Sequence, residues 1–235
     1  MNPDTGAGTF MAALASSSLT DSPFLYPIAL NVRDRRCVVV GAGAVGTRKA
    51  IGLAEAGADV LIVGPEASDT LHVVDADTRI DYRAETFSPE HLDNALLVVV
   101  ATDSPVVNQA VALAARERGV LVNLAGRGSD ADTGDFAGMA TLRRGDLIIG
   151  ITTGGAGPAL SVRVREDLEE AFGPEWGEYV ALLGAVRAHA QQHIGDSRER
   201  AAALRRLAVA DQVRALLAEG KMETAWEEAM ACLSA

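Results

Sequence analysis

Apolar and polar positions change period several times between residues 31 and 153. Short apolar runs at 37–40, 59–63, 95–101, 120–125 and 147–153 read as strands. Residues 80–86 alternate apolar with polar and predict a more exposed strand. Helical spacing fills two of the intervals. One helix is expected over 47–56, closed by Gly57. Another is expected over 105–118, with Ser104 as cap, Pro105 as first helical residue and Gly119 as stop. The run at 95–101 contains no polar residue, as in a parallel strand covered on both faces. This alternation predicts an α/β fold, a Rossmann-like parallel sheet with helices on both faces. Past Gly155 the strand signal ends. A helix is expected over 158–172, broken at Gly173-Pro174, and the remainder to 235 reads as helical with breaks at Gly195-Asp196 and Gly220. The expected division is therefore a disordered extension over 1–22, a sheet domain over 23–155 and a C-terminal all-helical appendage over 156–235.

The turn after the first strand carries the first chemical signal. Gly41-Ala42-Gly43-Ala44-Val45-Gly46 stands between a strand and a helix, the setting in which a glycine-spaced turn binds a dinucleotide. Gly41 allows the turn, Gly43 lets backbone approach a pyrophosphate and Gly46 lets helix and strand pack closely. The bare N–H groups of the helix start then face the phosphates. At the end of the second strand stands Val63-Gly64-Pro65-Glu66, with no Lys or Arg until Arg79. An acidic residue here selects NAD over NADP by accepting from the ribose hydroxyls. The competing possibility is that Glu66 only caps a turn.

Two further segments could do chemistry. Asp103 follows the fourth strand, on the rim of the crevice where strand order reverses, and could move a proton beside a hydride transfer. It could equally be a helix cap, since Asp and Ser both serve there. Thr152-Thr153-Gly154-Gly155-Ala156-Gly157-Pro158 opens another helix with bare N–H groups, and Arg165 adds charge that would suit an anionic substrate. An ordinary Gly-Pro loop with a surface Arg explains it as well.

Composition narrows the partners. The 235 residues are 49% hydrophobic, enough for a packed core, and carry a net charge of −11, which argues against nucleic acid and anionic membranes. No apolar run reaches the ~18 residues that suggest a membrane helix. Residues 1–20 lack the pattern of a signal peptide. Cys37 and Cys232 read as reduced thiols of a cytosolic protein. The four histidines are scattered, and His189 and His193 share a helix face without a third metal ligand nearby.

The segment Tyr26-Pro27-Ile28, Val32-Arg33-Asp34-Arg35 and Cys37 through Gly46 to Thr47-Arg48-Lys49-Ala50 resembles the opening of the precorrin-2 dehydrogenases, the NAD-dependent module of siroheme synthase. Ala101-Thr102-Asp103 with Val107-Asn108, Phe136 to Ala140 with Arg144-Gly145-Asp146-Leu147, and Thr152-Thr153-Gly154-Gly155 with Gly157-Pro158-Ala159-Leu160 and Arg165 agree in order and spacing. The resemblance covers residues 24–170. It implies that precorrin-2, a tetrapyrrole with many carboxylates, loses hydride to NAD⁺ and a proton to a base, giving sirohydrochlorin. It implies Asp103 as the catalytic aspartate. Gly41, Gly43, Ala44, Val45, Gly46, Pro65, Glu66 and Thr102 are then cofactor contacts, and Asn123, Thr153, Gly154, Gly155, Pro158 and Arg165 substrate contacts. Some members also insert Fe²⁺ into the product with the same aspartate, and such members form homodimers through the middle and helical segments. Three departures leave chelation open. Asn123 is followed by Leu124-Ala125-Gly126 instead of an early Asp. The loop 127–135 is long and holds Asp130, Asp132 and Asp135. Ala140, with Thr141 beside it, stands where some bifunctional members have a serine. A chain of this length leaves no room for the methyltransferase module of larger siroheme synthases. The rival of a different class is a non-enzymatic NAD sensor, in which Asp103 would be a cap.

Overall fold

The computed structural model describes residues 25–72, 79–125 and 134–234. The expected extension over 1–22 and the loop residues Gly126, Asp130 and Asp132 lie outside them. Five strands, β1 (Arg36–Val40), β2 (Asp59–Val63), β3 (Ile80–Arg83), β4 (Leu97–Val100) and β5 (Leu121–Leu124), form one parallel sheet in the order β3-β2-β1-β4-β5. Each neighbouring pair runs parallel, with Val39 of β1 opposite Ile62 of β2 and Val99 of β4. The order reverses between β1 and β4, so the crevice expected in an open α/β sheet opens at their carboxyl ends.

Successive residues of a strand face opposite sides, and here both sides are filled. Val38, Val40, Leu61, Val63, Val98 and Val100 pack with Val111 and Ala115 of α3 (Pro105–Arg118). Cys37, Val39, Val60, Ile62, Leu97 and Val99 pack on the other side with Ala50 of α1 (Ala44–Glu55). Burying each such Val or Leu stabilises by about 1.5–3 kcal/mol, which explains the uninterrupted apolar runs. A short helical turn, α2 (Asp69–His72), precedes β3.

Burial has a chemical consequence at Cys37, which is fully enclosed. Loss of water pushes its thiol up to about 11, against a smaller downward pull from Arg35 and an upward one from Asp59. Thiolate is the nucleophile, so Cys37 should be inert in the native protein. Mass spectrometry after alkylation at pH 8 should show Cys232 modified and Cys37 labelled only after unfolding. Comparable labelling of both in the folded state would contradict the packing of β1.

The strand expected over 147–153 forms as β7 (Leu147–Ile151) but does not extend the parallel sheet. It pairs antiparallel with β6 (Ala140–Arg144), Ala140 opposite Ile151 and Arg144 opposite Leu147. Apolarity alone does not tell a buried parallel strand from one arm of a hairpin. The burial of β7 alternates instead of staying complete. Gly145, at φ +55°, supplies the tight reversal that lets the nearer partner win.

The chain forms two compact units, dividing after Gly138. The second holds the hairpin, α4 (Pro158–Ala171), α5 (Glu175–His193), α6 (Ser197–Ala208), α7 (Asp211–Ala218) and α8 (Met222–Ser234). Its core joins Tyr179, Leu182, Val186, Leu207, Val213, Leu217, Ala225 and Ala229. Asp196 caps α6 by accepting from the N–H groups of Arg198 and Glu199 at 2.9 and 2.8 Å, which accounts for the expected break there. A further break at Val209-Ala210 has no sequence signal. There the buried Tyr179 hydroxyl donates to the Leu207 carbonyl at 2.6 Å, a tertiary bond at the helix end. Among the described residues no helix is long and apolar enough to cross a membrane.

Candidate functional site

The three glycines of the first turn divide into two kinds. Gly41 has φ +109°, its N–H donates to the Val63 carbonyl at 2.8 Å, and a Cβ there would stand 2.4 Å from the Ala101 oxygen. A Cβ at Gly46 would stand 1.9 Å from the Gly41 oxygen. Both glycines are therefore required by the fold itself. Gly43 is different. It adopts an ordinary extended conformation (φ −72°, ψ 179°), and a Cβ on it would meet nothing within 4 Å. The protein leaves this space open, and backbone approach by a ligand gives the glycine a reason. Helix α1 begins at Ala44, three residues before the expected start, so the second half of the motif, Ala44-Val45-Gly46, opens the helix. No side chain caps it, and the opening N–H groups of Ala44, Val45 and Gly46 stay available for an anion.

The loop after β2 is fastened to this turn. The Ser68 N–H donates to the Ala42 carbonyl at 2.8 Å, and the Ser68 hydroxyl lies 3.0 Å from that of the fully buried Thr47. The Tyr82 hydroxyl donates to the Gly64 carbonyl at 2.9 Å. Pro65 and Glu66 lie between these anchors and are exposed. Glu66 is thus held near the glycine turn, where a ribose would be read. Thr47 and Ser68 were not anticipated. The one available signal was a hydroxyl residue on an otherwise apolar helix face.

The segment after β4 answers whether Asp103 is a cap. The cap of α3 is Ser104, whose hydroxyl accepts from the Val107 N–H at 3.4 Å. Asp103 is exposed and takes no part in capping. Its backbone is fixed by its neighbours. The Thr102 hydroxyl donates to Asn108 Oδ1 at 2.6 Å, Asn108 Nδ2 donates to the Thr102 carbonyl at 3.1 Å, and the Ser104 N–H donates to the Thr102 hydroxyl at 3.2 Å. The hydroxyl of Thr102 is therefore engaged within the loop. The loop lies against Gly41, because the Thr102 methyl would be 3.2 Å from a Cβ there. Ser104→Ala should destabilise by about 1 kcal/mol through loss of the cap. Asp103→Ala should stay within about 0.5 kcal/mol of the parent. Urea unfolding checks both, and a larger loss at Asp103 than at Ser104 would return the capping task to Asp103.

Asn123 is buried in β5, and its Nδ2 donates to the Phe136 carbonyl at 2.7 Å. That bond, with Asp135 Oδ2 accepting from the Val122 N–H at 2.9 Å, ties the segment 134–136 to the sheet. In the second unit, the Thr153 hydroxyl accepts from the Gly157 N–H at 3.0 Å, and the Thr152 hydroxyl from that of Gly154 at 3.2 Å. Gly154 and Gly155 have φ of +62° and +89°, and Pro158 opens α4. Arg165 pairs with Glu169, one turn on, and lies 3.6 Å from Glu166, so its charge is already balanced on its own helix. The spacing to Glu169 was visible in the sequence and weakens the inference of a free cation. Among the described residues no group of three potential metal ligands is gathered. The His189 and His193 rings stack 3.9 Å apart, and His193 Nδ1 bonds to the His189 carbonyl.

Residues 28–137 match the model of a putative NAD(P)-binding family, and residues 144–171 that of the sirohaem biosynthesis protein central family. Siroheme synthase of Nitrosomonas eutropha is 32% identical over 176 residues, 74% of this chain and 36% of that protein. Its counterpart in Methylobacillus flagellatus is 34% identical over 175 residues, 74% of this chain and 37% of that one. Among solved structures, one described as SirC, precorrin-2 dehydrogenase, matches with a TM-score of 0.70 and 26% identity, over 88% of this chain and all of that chain. The chain belongs to the siroheme synthase and precorrin-2 dehydrogenase family. It spans little more than a third of the length of these siroheme synthases. Within this family the first unit is the NAD-binding domain, and the open space over Gly43 with the uncapped start of α1 fits the dinucleotide.

Proposed function

We propose that the protein is an NAD-dependent precorrin-2 dehydrogenase acting in siroheme biosynthesis. Asp103 carries this reading. A carboxylate stands at the carboxyl end of β4, against the glycine turn, on a loop that three hydrogen bonds fix and that does not use the carboxylate as a cap. A non-catalytic NAD sensor would have no need of it. NAD⁺ supplies the acceptor for one hydride. The backbone at Gly43 and the start of α1 hold the pyrophosphate, and the exposed Glu66 accepts from the adenosine ribose hydroxyls. Asp103 removes the proton that leaves with the hydride, so that precorrin-2 loses two electrons and two protons overall and becomes sirohydrochlorin. Asn123 and the Thr153-Gly154-Gly155 turn, with Pro158 and Arg165, are assigned to the tetrapyrrole. Reduction of NAD⁺ that depends on added precorrin-2 is the test of the activity.

Glu66 also sets the cofactor. A 2′-phosphate would meet a carboxylate in place of a cation. The kcat/KM for NADP⁺ should be at least about tenfold below that for NAD⁺, a difference of about 1.4 kcal/mol. Equal values would show that Glu66 does not read the ribose. We assign the protein to the cytosol as a homodimer, a state that sedimentation equilibrium checks by giving twice the 24.5 kDa chain mass. Fe²⁺ insertion by the same site is assayed separately, as metallation of purified sirohydrochlorin above the spontaneous rate.

A further inference from the structure

Lys49 is one of only two lysines in a chain with 21 basic residues. It lies on α1, the helix that the glycine turn opens. Its amine is turned onto the backbone of Gly138, where a Cβ would stand 2.7 Å from Nζ. The strip leading to Gly138 is held in place, since Asn123 binds the Phe136 carbonyl and Phe136 packs against the cluster containing Ala42 and Ala50. Lys49 is half-buried, and among the described residues no carboxylate lies within ion-pair distance of it. Loss of water, followed by the charge of Arg48, holds its amine below the usual lysine range.

A lysine normally buries its stem and leaves its amine in water. Keeping the amine partly dry and without a counter-charge is unfavourable, and a ligand anion removes the penalty. The absence of a side chain at Gly138 leaves the amine its place, and a compact ammonium fits there where a guanidinium fork would need more room. We infer that Lys49 is a binding residue for the substrate, pairing with one peripheral carboxylate of the tetrapyrrole beside Gly138. This assignment rests on the proposed dehydrogenase function and adds to it a contact that identifies the carboxylate-bearing substrate class.

The test uses the full-length protein with sirohydrochlorin as the probe and NAD⁺ as the control ligand. In Lys49→Met the Kd for sirohydrochlorin should rise at least tenfold. The KM for precorrin-2 should rise with it, while kcat stays within about threefold, the pattern of lost uniform binding. The Kd for NAD⁺ should stay within twofold and Tm should be unchanged or higher, because an unmatched charge has been removed. Gly138→Ala, which crowds the amine without deleting it, should weaken sirohydrochlorin in the same direction. Unchanged sirohydrochlorin affinity in Lys49→Met would overturn the assignment. So would weakened NAD⁺ binding, which would give the amine to a cofactor phosphate, or a marked fall in Tm, which would make Lys49 structural. A parent protein that neither oxidises precorrin-2 nor binds sirohydrochlorin would remove the dehydrogenase function itself, and the Lys49 assignment with it.

Discussion

Asp103→Ala is expected to abolish measurable oxidation of precorrin-2 while the protein folds normally and binds NAD⁺ as before. A positioned general base contributes about 10²- to 10⁴-fold to rate, so kcat should fall by about that factor. The fold should be indifferent because Ser104, and not Asp103, closes the start of α3. The cofactor should be indifferent because the groups offered to the pyrophosphate belong to the turn at 41–46. Asp103→Asn should be equally inactive, since the amide keeps the shape of the carboxylate but takes no proton. Turnover within tenfold of the parent in either variant would mean that the proton leaves to water or to another group, and Asp103 would lose its role.

The second large effect is expected at Gly43. Gly43→Ala should leave Tm within a degree or two of the parent, because the new methyl meets no protein atom. It should nevertheless weaken NAD⁺ by about 100-fold, the loss of two charge-assisted hydrogen bonds at about 1.5 kcal/mol each. Gly46→Ala makes the opposite pair. There the methyl would fall 1.9 Å from the Gly41 oxygen, so the helix must shift, at a cost of about 3 kcal/mol. Thermal melts alongside isothermal titration with NAD⁺ separate the two. Unchanged affinity in Gly43→Ala would show that no phosphate approaches that backbone.

Much of this arrangement was legible in the residues. The apolar runs gave four of the five strands of the parallel sheet, because strands buried on both faces have little freedom in composition, and alternation over 80–86 gave the more exposed β3. Ser104, Pro105 and Gly119 marked α3 at both ends, since cap chemistry is local, and Gly119 has the left-handed conformation that such a stop requires. Which residue caps α3 was not legible, because Asp103 and Ser104 are adjacent and chemically able to do the same task. Only the hydrogen bond from Val107 distinguishes them. The partner of β7 was hidden for a different reason. The residues 140–144 mix Thr and Arg with apolar positions and resemble a loop until their register with 147–151 is known. The partial burial of Lys49, the clasp of Asn108 on Thr102 and the break at Val209 depend on tertiary contacts that no local pattern carries. The pairing of Arg165 with Glu169 was visible in the spacing.

The most direct measurement is anaerobic turnover of precorrin-2 by the purified protein, with NAD⁺ as the sole oxidant and both products quantified. One NADH formed per sirohydrochlorin, with no conversion when NAD⁺ is omitted, is the result expected of the dehydrogenase. Binding of NAD⁺ without any precorrin-2-dependent NADH would contradict it and leave the protein a dinucleotide-binding module without this reaction.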